Sequence, residues 1–471
     1  MFNKPFKSTF IGVIDNTLRM TWLATVLIIT NFAIIVNKIN EFNSSIDANL
    51  LIIILLAIFI IVMFICYFID WKITRISYEN GVITVYKNLV FKDKYEFCID
   101  KISSIVLEEN IFEKLFKVNK VRIYTNARNK YKEDMYFIVK KNDAINFRDK
   151  IFKDMFETED TNIIKDENYN IKYSFKNILF HSICNISITY MVIVVNVILL
   201  IFSMIKSGTI MKEIMYNLLG FLITIFAIIL PVVYSLFSNV LKFSRFHLRK
   251  ADRVLLIKYG IINKKSYIIP ISSINGFVIT ETFISRIFGV KSLKIICSGI
   301  SNKKSELPFL IPMSSKKRIE KVINVIFPEL NYNIKSKTNY QPNAVNIISI
   351  FLIVILDIVF FFVAKNLELS FFYTVLAIAV SFILIVIIYY FKRIKIEEKY
   401  ILISSGFILK RISILLYNRI RMVKVSQGPI SRNFDIYLFN VYIMAGLFDS
   451  KHSLGYLLPS KINYIQNKIP I

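Results

Sequence analysis

The chain has 471 residues, of which 55% are hydrophobic, with a mean hydropathy of +0.54 and a formal net charge of +27. That length leaves room for about three domains, and so apolar a balance excludes an ordinary soluble or disordered protein. The excess of 60 Lys and Arg over 33 Asp and Glu suggests nucleic acid at first sight, a reading that the placement of the charge excludes.

A short basic segment with Lys4, Lys7 and Arg19 leads into an apolar block, Met20 to Asn37, with no small-residue cleavage site after it. Five more blocks follow: Asn49 to Ile69, Asn177 to Ile205, Ile214 to Leu241, Val345 to Ala364 and Leu369 to Phe391. Each is close to the roughly 20 residues that cross a bilayer core as a helix. Asp357 is the one charge inside any of them. The blocks pair into three hairpins through loops at 38–48, 206–213 and 365–368. Those loops hold only Lys38, Lys206, Lys212 and Lys365 among the basic residues, balanced by Glu41, Asp47, Glu213 and Glu368. All other basic residues lie on the opposite side, which the positive-inside rule makes the cytoplasm, together with both termini.

Between the hairpins the pattern changes. After Trp71, a residue suited to the membrane interface or to packing, come WKITRISY and VITVYKN on either side of Glu79-Asn80-Gly81, and Asn-Gly between two such runs signals a hairpin. Strand-like runs YEFCI, SSIVLE, KVRIYTN and DMYFIVK lead to a helical spacing of apolar residues over 142–152. Residues 153–176 form a polar linker, Pro231 kinks the second hairpin, and a second β-rich unit from Phe246 ends in a helix after Ser314 that Pro328 terminates. A linker at 331–343 and the third hairpin lead to a third unit from Lys392, closed by a helix over 460–469. The expected boundaries are 1–70, 71–155, 156–245, 246–330, 331–391 and 392–471.

These units are repeats. Residues 260–295 align without a gap on 88–123 and on 406–441. The alignment matches Ile102, Ile274 and Ile420; Phe116, Phe288 and Phe434; Val118, Val290 and Ile436; and Ile123, Ile295 and Val441. Basic positions match as well: Lys92, Lys264 and Lys410, with Asp93, Lys265 and Arg411 beside them, and Lys114, Arg286 and Arg432. The strands closed by a helix, with G-I-I-x-K-K, I-P-I-S-S-I and S-R-I-F-G-V in the second copy, resemble the bacterial pleckstrin-homology-like domain family, and the alternation with transmembrane pairs extends the resemblance over essentially the whole chain. The resemblance implies a six-helix membrane protein whose three hairpins each precede a cytoplasmic PH-like domain, a small β-barrel or sandwich with a C-terminal helix. Asn88 in place of Gly260, Cys98 and Leu416 in place of Pro270, and Lys117 and Asp435 in place of Gly289 bear on turn geometry rather than on the fold.

No catalytic constellation emerges. His181, His247 and His452 form no H-E-x-x-H pair, and neither Cys-x-x-Cys nor a phosphate-binding G-x-x-x-x-G-K-[ST] is present. His181 and Cys184, one helical turn apart, are two ligands short of a structural metal site and read as polar packing. Cys66 and Cys184 fall in membrane blocks, and Cys98 and Cys297 in cytoplasmic units, which argues against a disulfide framework. The expectation is therefore no enzyme, no cofactor and no metal. In its place stands a membrane protein whose PH-like domains bind anionic lipid headgroups through Lys92, Lys264, Lys265, Lys410 and Arg411, or bind a protein partner or a second copy. Asp357 at membrane depth reads as interhelical packing, with a small-solute or ion transporter as the alternative. A membrane-stress or defence assembly factor is the third reading.

Overall fold

The computed structural model describes residues 4–32, 34, 36, 48–88, 92–125, 135–156, 169–185, 218–251, 253–297, 308–330, 332, 341–342, 358, 379, 393–406, 409–444 and 451–469. The chain divides into two compact units. The first comprises Met1–Asp166 with Ile262–Ser266, and the second Glu167–Ile261 with Tyr267–Ile471.

Unit 1 opens with α1 (Ile11–Thr30) and α2 (Ala48–Ile73), followed by β1 (Thr74–Glu79), β2 (Val82–Asn88), β3 (Lys92–Cys98), β4 (Ile102–Glu109), a short α3 (Ile111–Leu115), β5 (Val118–Thr125), β6 (Tyr136–Lys140) and α4 (Lys141–Phe156). Helix α1 starts at Ile11 rather than at Met20. Its foot belongs to the domain, where Val13, Asp15 and Thr17 are buried and the preceding Ser8 and Thr9 hydroxyls donate to the Ile138 carbonyl of β6. Trp71 serves packing here, edge-on to Phe10 at 5.4 Å, with its indole N–H donated to the Ser8 carbonyl at 2.6 Å.

The expected hairpin is present. Glu79 pairs with Val82, and Asn80 and Gly81 both take positive φ, the twist that a two-residue connection between antiparallel strands needs. Ile76, Tyr78, Ile83, Ile105, Val121, Ile123 and Phe137 from two antiparallel sheets close around Phe147 and Ile151 of α4, so the helix caps the core made by the strands.

Unit 2 contains β7 (Tyr169–Lys172), α5 (Phe175–Cys184), α6 (Leu218–Phe243), β8 (His247–Ala251), β9 (Val254–Tyr259), β10 (Lys264–Pro270), β11 (Ile274–Glu281), α7 (Phe283–Ile287), β12 (Val290–Cys297), β13 (Phe309–Ser315) and α8 (Lys316–Ile326). It continues with β14 (Gln341–Pro342), β15 (Arg393–Ile396), β16 (Tyr400–Ser405), β17 (Lys410–Leu416), β18 (Ile420–Ser426), α9 (Pro429–Asn433), β19 (Tyr437–Ile443), β20 (Lys451–Leu457) and α10 (Pro459–Gln466). The opening residues of β10 belong to unit 1, where they lie beside β4.

The second and third repeats are not separate beads. One seven-stranded sheet runs β13-β12-β11-β17-β16-β15-β14, with β11 antiparallel to β17 from Gly276 opposite Leu415 to Glu281 opposite Lys410. Val278 and Ile296 of the second repeat accordingly sit in the core of the third, with Ile401, Leu415, Phe439 and Ile465.

Among the described residues, two helical stretches are long and apolar enough to cross a membrane, Ile11–Thr30 and Leu50–Ile73, and α6 carries the shorter apolar stretch Val232–Phe243. The foot of the third apolar block is α5, and most of the fourth is α6. Apart from Ile358 and Ala379, the fifth and sixth blocks, Asp357 among them, lie outside the described residues.

The Gly289 column keeps its geometry despite the substitutions. Lys117, Gly289 and Asp435 have φ of 52°, 64° and 48°, so all three repeats leave the short helix through the same left-handed residue. Gly276 answers a different constraint, because a Cβ there would stand 2.5 Å from the Ile414 carbonyl oxygen of β17. Gly289→Ala, with nothing within 4 Å of the new methyl, is expected to cost only the left-handed backbone, about 1 kcal/mol. Gly276→Ala should cost about 2 kcal/mol through overpacking at the strand junction. Thermal unfolding of the two variants in detergent checks the order.

Candidate functional site

The basic column read from the sequence lies at the start of β3, β10 and β17, and at β10 and β17 it meets acidic strand ends of the preceding repeat. Lys264 Nζ is 3.1 Å from Glu109 Oε2, and Lys265 Nζ is 3.4 Å from Glu108 Oε1. Glu109 also takes Lys141 at 3.1 Å. Burial pushes the Glu109 carboxyl up, but its hydrogen bonds from Lys141 and Lys264 outweigh this and hold it below the ordinary range. Lys410 stands opposite Glu281 in the β11–β17 register and Arg411 opposite Thr280. Burial lowers the Lys410 pKa, and the nearby Glu281 works against the shift. Lys92 begins β3, and its side chain lies outside the described residues.

The polar pair at the foot of the third apolar block is structural. His181 is buried, edge-on to Phe243 at 4.7 Å, with its Nδ1 2.9 Å from the Asn185 amide nitrogen. No group of three or more metal-ligating side chains occurs among the described residues.

A second recurrent feature was present in the sequence as matched columns without an assigned role. Between two neighbouring antiparallel strands of one sheet, β4 and β5, β11 and β12, or β18 and β19, each repeat inserts a five-residue helix: α3, α7 or α9. A polar side chain fastens its first turn each time. The Asn110 N–H donates to Glu113 Oε2 at 2.6 Å, the Ser285 N–H to Thr282 Oγ1 at 3.1 Å, and the Gly428 N–H to Ser431 Oγ at 2.7 Å. Glu113, Ser285 and Ser431 are all buried, so the cap is the inward face.

The outward face is apolar. Leu115 is 73% exposed and Phe116 49%; Ile287 is 69% exposed and Phe288 57%; Phe434 is 53% exposed. Ile111, Phe112 and Phe283 add to the same surfaces. A basic residue ends each short helix: Lys114, Arg286 or Arg432. Elsewhere the matched apolar columns are core. Ile102, Ile274 and Ile420 are buried, as are Ile123, Ile295 and Val441, whereas the Phe column faces outward in every repeat.

In the first two repeats the apolar tips stand beside the helices that lead into the apolar spans. Phe288 meets Phe180 of α5 edge-on at 5.2 Å, and Thr282 Oγ1 donates to the Cys184 carbonyl at 2.6 Å. In unit 1, buried Glu113 lies within the field of Asp15 at the foot of α1. Burial first, and Asp15 in addition, raise its pKa against the opposing Asn110 hydrogen bond. Asp15 in turn holds Arg19 at 2.9 Å. Lys120, buried on β5 with its ammonium 4.0 Å from the Tyr136 ring centroid, completes this foot. Burial, with Arg122 and Arg19 nearby, lowers its pKa to about 8.

The Lys120 shift has a definite sign in solution. Between pH 8 and the ordinary lysine value of 10.5 the unfolded chain holds a proton that the folded chain has released, so stability rises with pH across that window. The wild-type protein should therefore gain thermal stability relative to a Lys120→Met variant as pH is raised from 8 towards 10. Parallel melting curves in detergent measure the difference, which cancels the titrations common to both.

The chain is similar to the UPF0699 transmembrane protein YdbT of Bacillus subtilis (strain 168), with 20% identity over 411 residues that cover 80% of each sequence. No solved structure matches it. The bacterial PH domain family matches it three times, over residues 21–155, 187–327 and 350–467. Each match ends within a domain-closing helix or just after it, and together they take in all three short helices with their apolar tips. By these three matches, the chain belongs to the bacterial PH domain family.

Proposed function

We propose that the chain is a non-catalytic, multi-pass membrane protein that holds three PH domains against the inner face of the membrane, each bound to anionic headgroups through its short helix. The observation that carries this reading is the outward apolar tip with a basic end, found in all three repeats and set beside the span-leading helix in the first two. Aromatic and aliphatic side chains of this kind enter the headgroup–acyl boundary, and Lys114, Arg286 and Arg432 sit where a lipid phosphate would lie. Each such cation contributes about 1 kcal/mol near an anionic surface. Six spans in three hairpins, with both termini and all repeats on the cytoplasmic side, agree with the near-neutral loops at 38–48, 206–213 and 365–368. The relative's printed name, a transmembrane protein, supports a place in a membrane.

The strand-start cations Lys92, Lys264, Lys265, Lys410 and Arg411 have a subsidiary part in this proposal. Lys264 and Lys265 are already paired with Glu109 and Glu108, so they add little to the anchoring contact.

The test uses the full chain in lipid nanodiscs, with an environment-sensitive fluorophore on a single cysteine. A probe replacing Phe288 or Phe116 should be quenched by spin-labelled lipid, and a probe replacing the exposed Lys317 of α8 should not. Arg286→Glu should reduce quenching at Phe288 in anionic nanodiscs and leave it unchanged in neutral ones. A Phe288 probe as water-exposed as the Lys317 probe would remove the basis of the proposal.

A further inference from the structure

Strands β4, β11 and β18 occupy one column of the repeat, and β3, β10 and β17 occupy another. Inside the chain the first kind joins the second: β4 lies between β5 and the opening of β10, and β11 between β12 and β17. Both β4 and β11 are almost wholly buried as a result. Two strands are left over. Among the described residues β18 pairs only with β19, and β3 only with β2. Arg421, Met422, Lys424 and Val425 of β18 are exposed, as are Asp93, Lys94, Tyr95, Glu96 and Cys98 of β3.

We propose that β18 of one copy pairs with β3 of a second copy, antiparallel and in the register of β11 on β17, so that copies join head to tail. The pairs Thr280–Arg411, Ile279–Ile412, Val278–Ser413 and Phe277–Ile414 fix that register. Carried along the repeat columns, they set Ser426 opposite Asp93, Val425 opposite Lys94, Lys424 opposite Tyr95 and Val423 opposite Glu96. The ladder stops there. Met422 takes the column of Gly276, where β17 leaves no room for a side chain.

The charges select a second copy as the occupant. At the internal junctions acids end the donor strand and cations begin the receiver, as in Glu109 with Lys264 and Glu281 opposite Lys410. The two strands left over have changed together. Ser426 and Gln427 replace the acids, Asp93 replaces Lys265 and Arg411, and Lys424 replaces Val106 and Val278. Lys424 then falls diagonally across from Asp93, within reach of a cross-strand pair, on a face of β3 shared by Asp93, Tyr95 and Phe97. Lys94, which pairs with Glu96 at 2.5 Å, points to the other face. A donor edge without acids has nothing to offer the receiver Lys264 and Lys265, so the outer edges match each other and not the inner ones. Pairing of two different surfaces propagates as a row or closes as a ring. It requires both edges on one side of the membrane, as in the topology proposed above.

Two differently tagged versions of the full chain, both carrying Cys98→Ser, are co-expressed, one with Asp93→Cys and the other with Ser426→Cys. Oxidation in native membranes should join the two tags in one disulfide-linked band, and Lys94→Cys in place of Asp93→Cys should not. Without oxidant, Lys424→Glu should lower co-purification of the two tags about fivefold, the size of one lost cross-strand charge pair, and Asp93→Lys in the other copy should restore it. The proposal is overturned if thiols at 93 and 426 both react with a maleimide in inverted vesicles yet form no cross-link. It is overturned equally if position 94 links as well as 93, or if the adduct has the mass of a different protein. Labelling of only one thiol in inverted vesicles would instead overturn the topology.

Discussion

A small barrel whose sheets end in open edges must find hydrogen bonds for those edges, and the architecture follows from where this chain finds them. In the second and third repeats the solution is sequential: β11, paired with β12 on one side, takes β17 on the other, and Val278 reaches into the next core. The junction needs both a close approach, secured by Gly276, and charge neutrality, secured by placing Glu281 opposite Lys410. The same arithmetic of charges recurs in unit 1, where Lys264 and Lys265 answer Glu109 and Glu108. Repetition in the sequence therefore serves assembly of the fold itself. A repeat lacking its predecessor would expose the strand start that the predecessor covers.

The same requirement explains which parts of the structure were legible in the sequence. Hydrophobic blocks, the Asn80-Gly81 hairpin and the closing helices announce themselves locally, and α4, α8 and α10 lie where the spacing put them. Pairing between repeats is different, because strand partners far apart in sequence leave no local trace. The cations at Lys264, Lys265, Lys410 and Arg411 looked like exposed turn residues in search of an external anion. Each turns out to open a strand, beside residues contributed by the previous repeat.

The Phe column carried no assigned role in the sequence. Phe116, Phe288 and Phe434 recur with the buried Ile102 and Ile123 sets, yet they face outward. Only the caps at Asn110, Thr282 and Gly428, which turn Glu113, Ser285 and Ser431 inward, rotate the aromatics out. The sequence did hold a signal, since IFEKLFK sets four apolar residues around an acid that must itself go inside. Reading it would have required knowing that Glu113 is the buried residue. The foot of α1 is a similar case. Lys4, Lys7 and Arg19 made that segment read as a basic lead-in, whereas Asp15, buried and paired with the exposed Arg19, belongs to the foot by which the helix is seated in the domain.

Rigid coupling between repeats then bears on how weak surface contacts add. One short helix with a few apolar side chains and a single cation binds a bilayer marginally, as a single anchoring signal does. Because repeats two and three share a sheet and a core, α7 and α9 cannot be reoriented independently without breaking the β11–β17 ladder. Their tips are presented as a fixed pair, and engagement of the first raises the effective concentration of the second. In the proposed topology the spans would supply the remaining constraint by keeping every tip within reach of the surface. In such a molecule the membrane contact of each PH domain need not be strong. What the fold supplies is the fixed spacing and orientation of the α7 and α9 tips, and these rest on the β11–β17 junction.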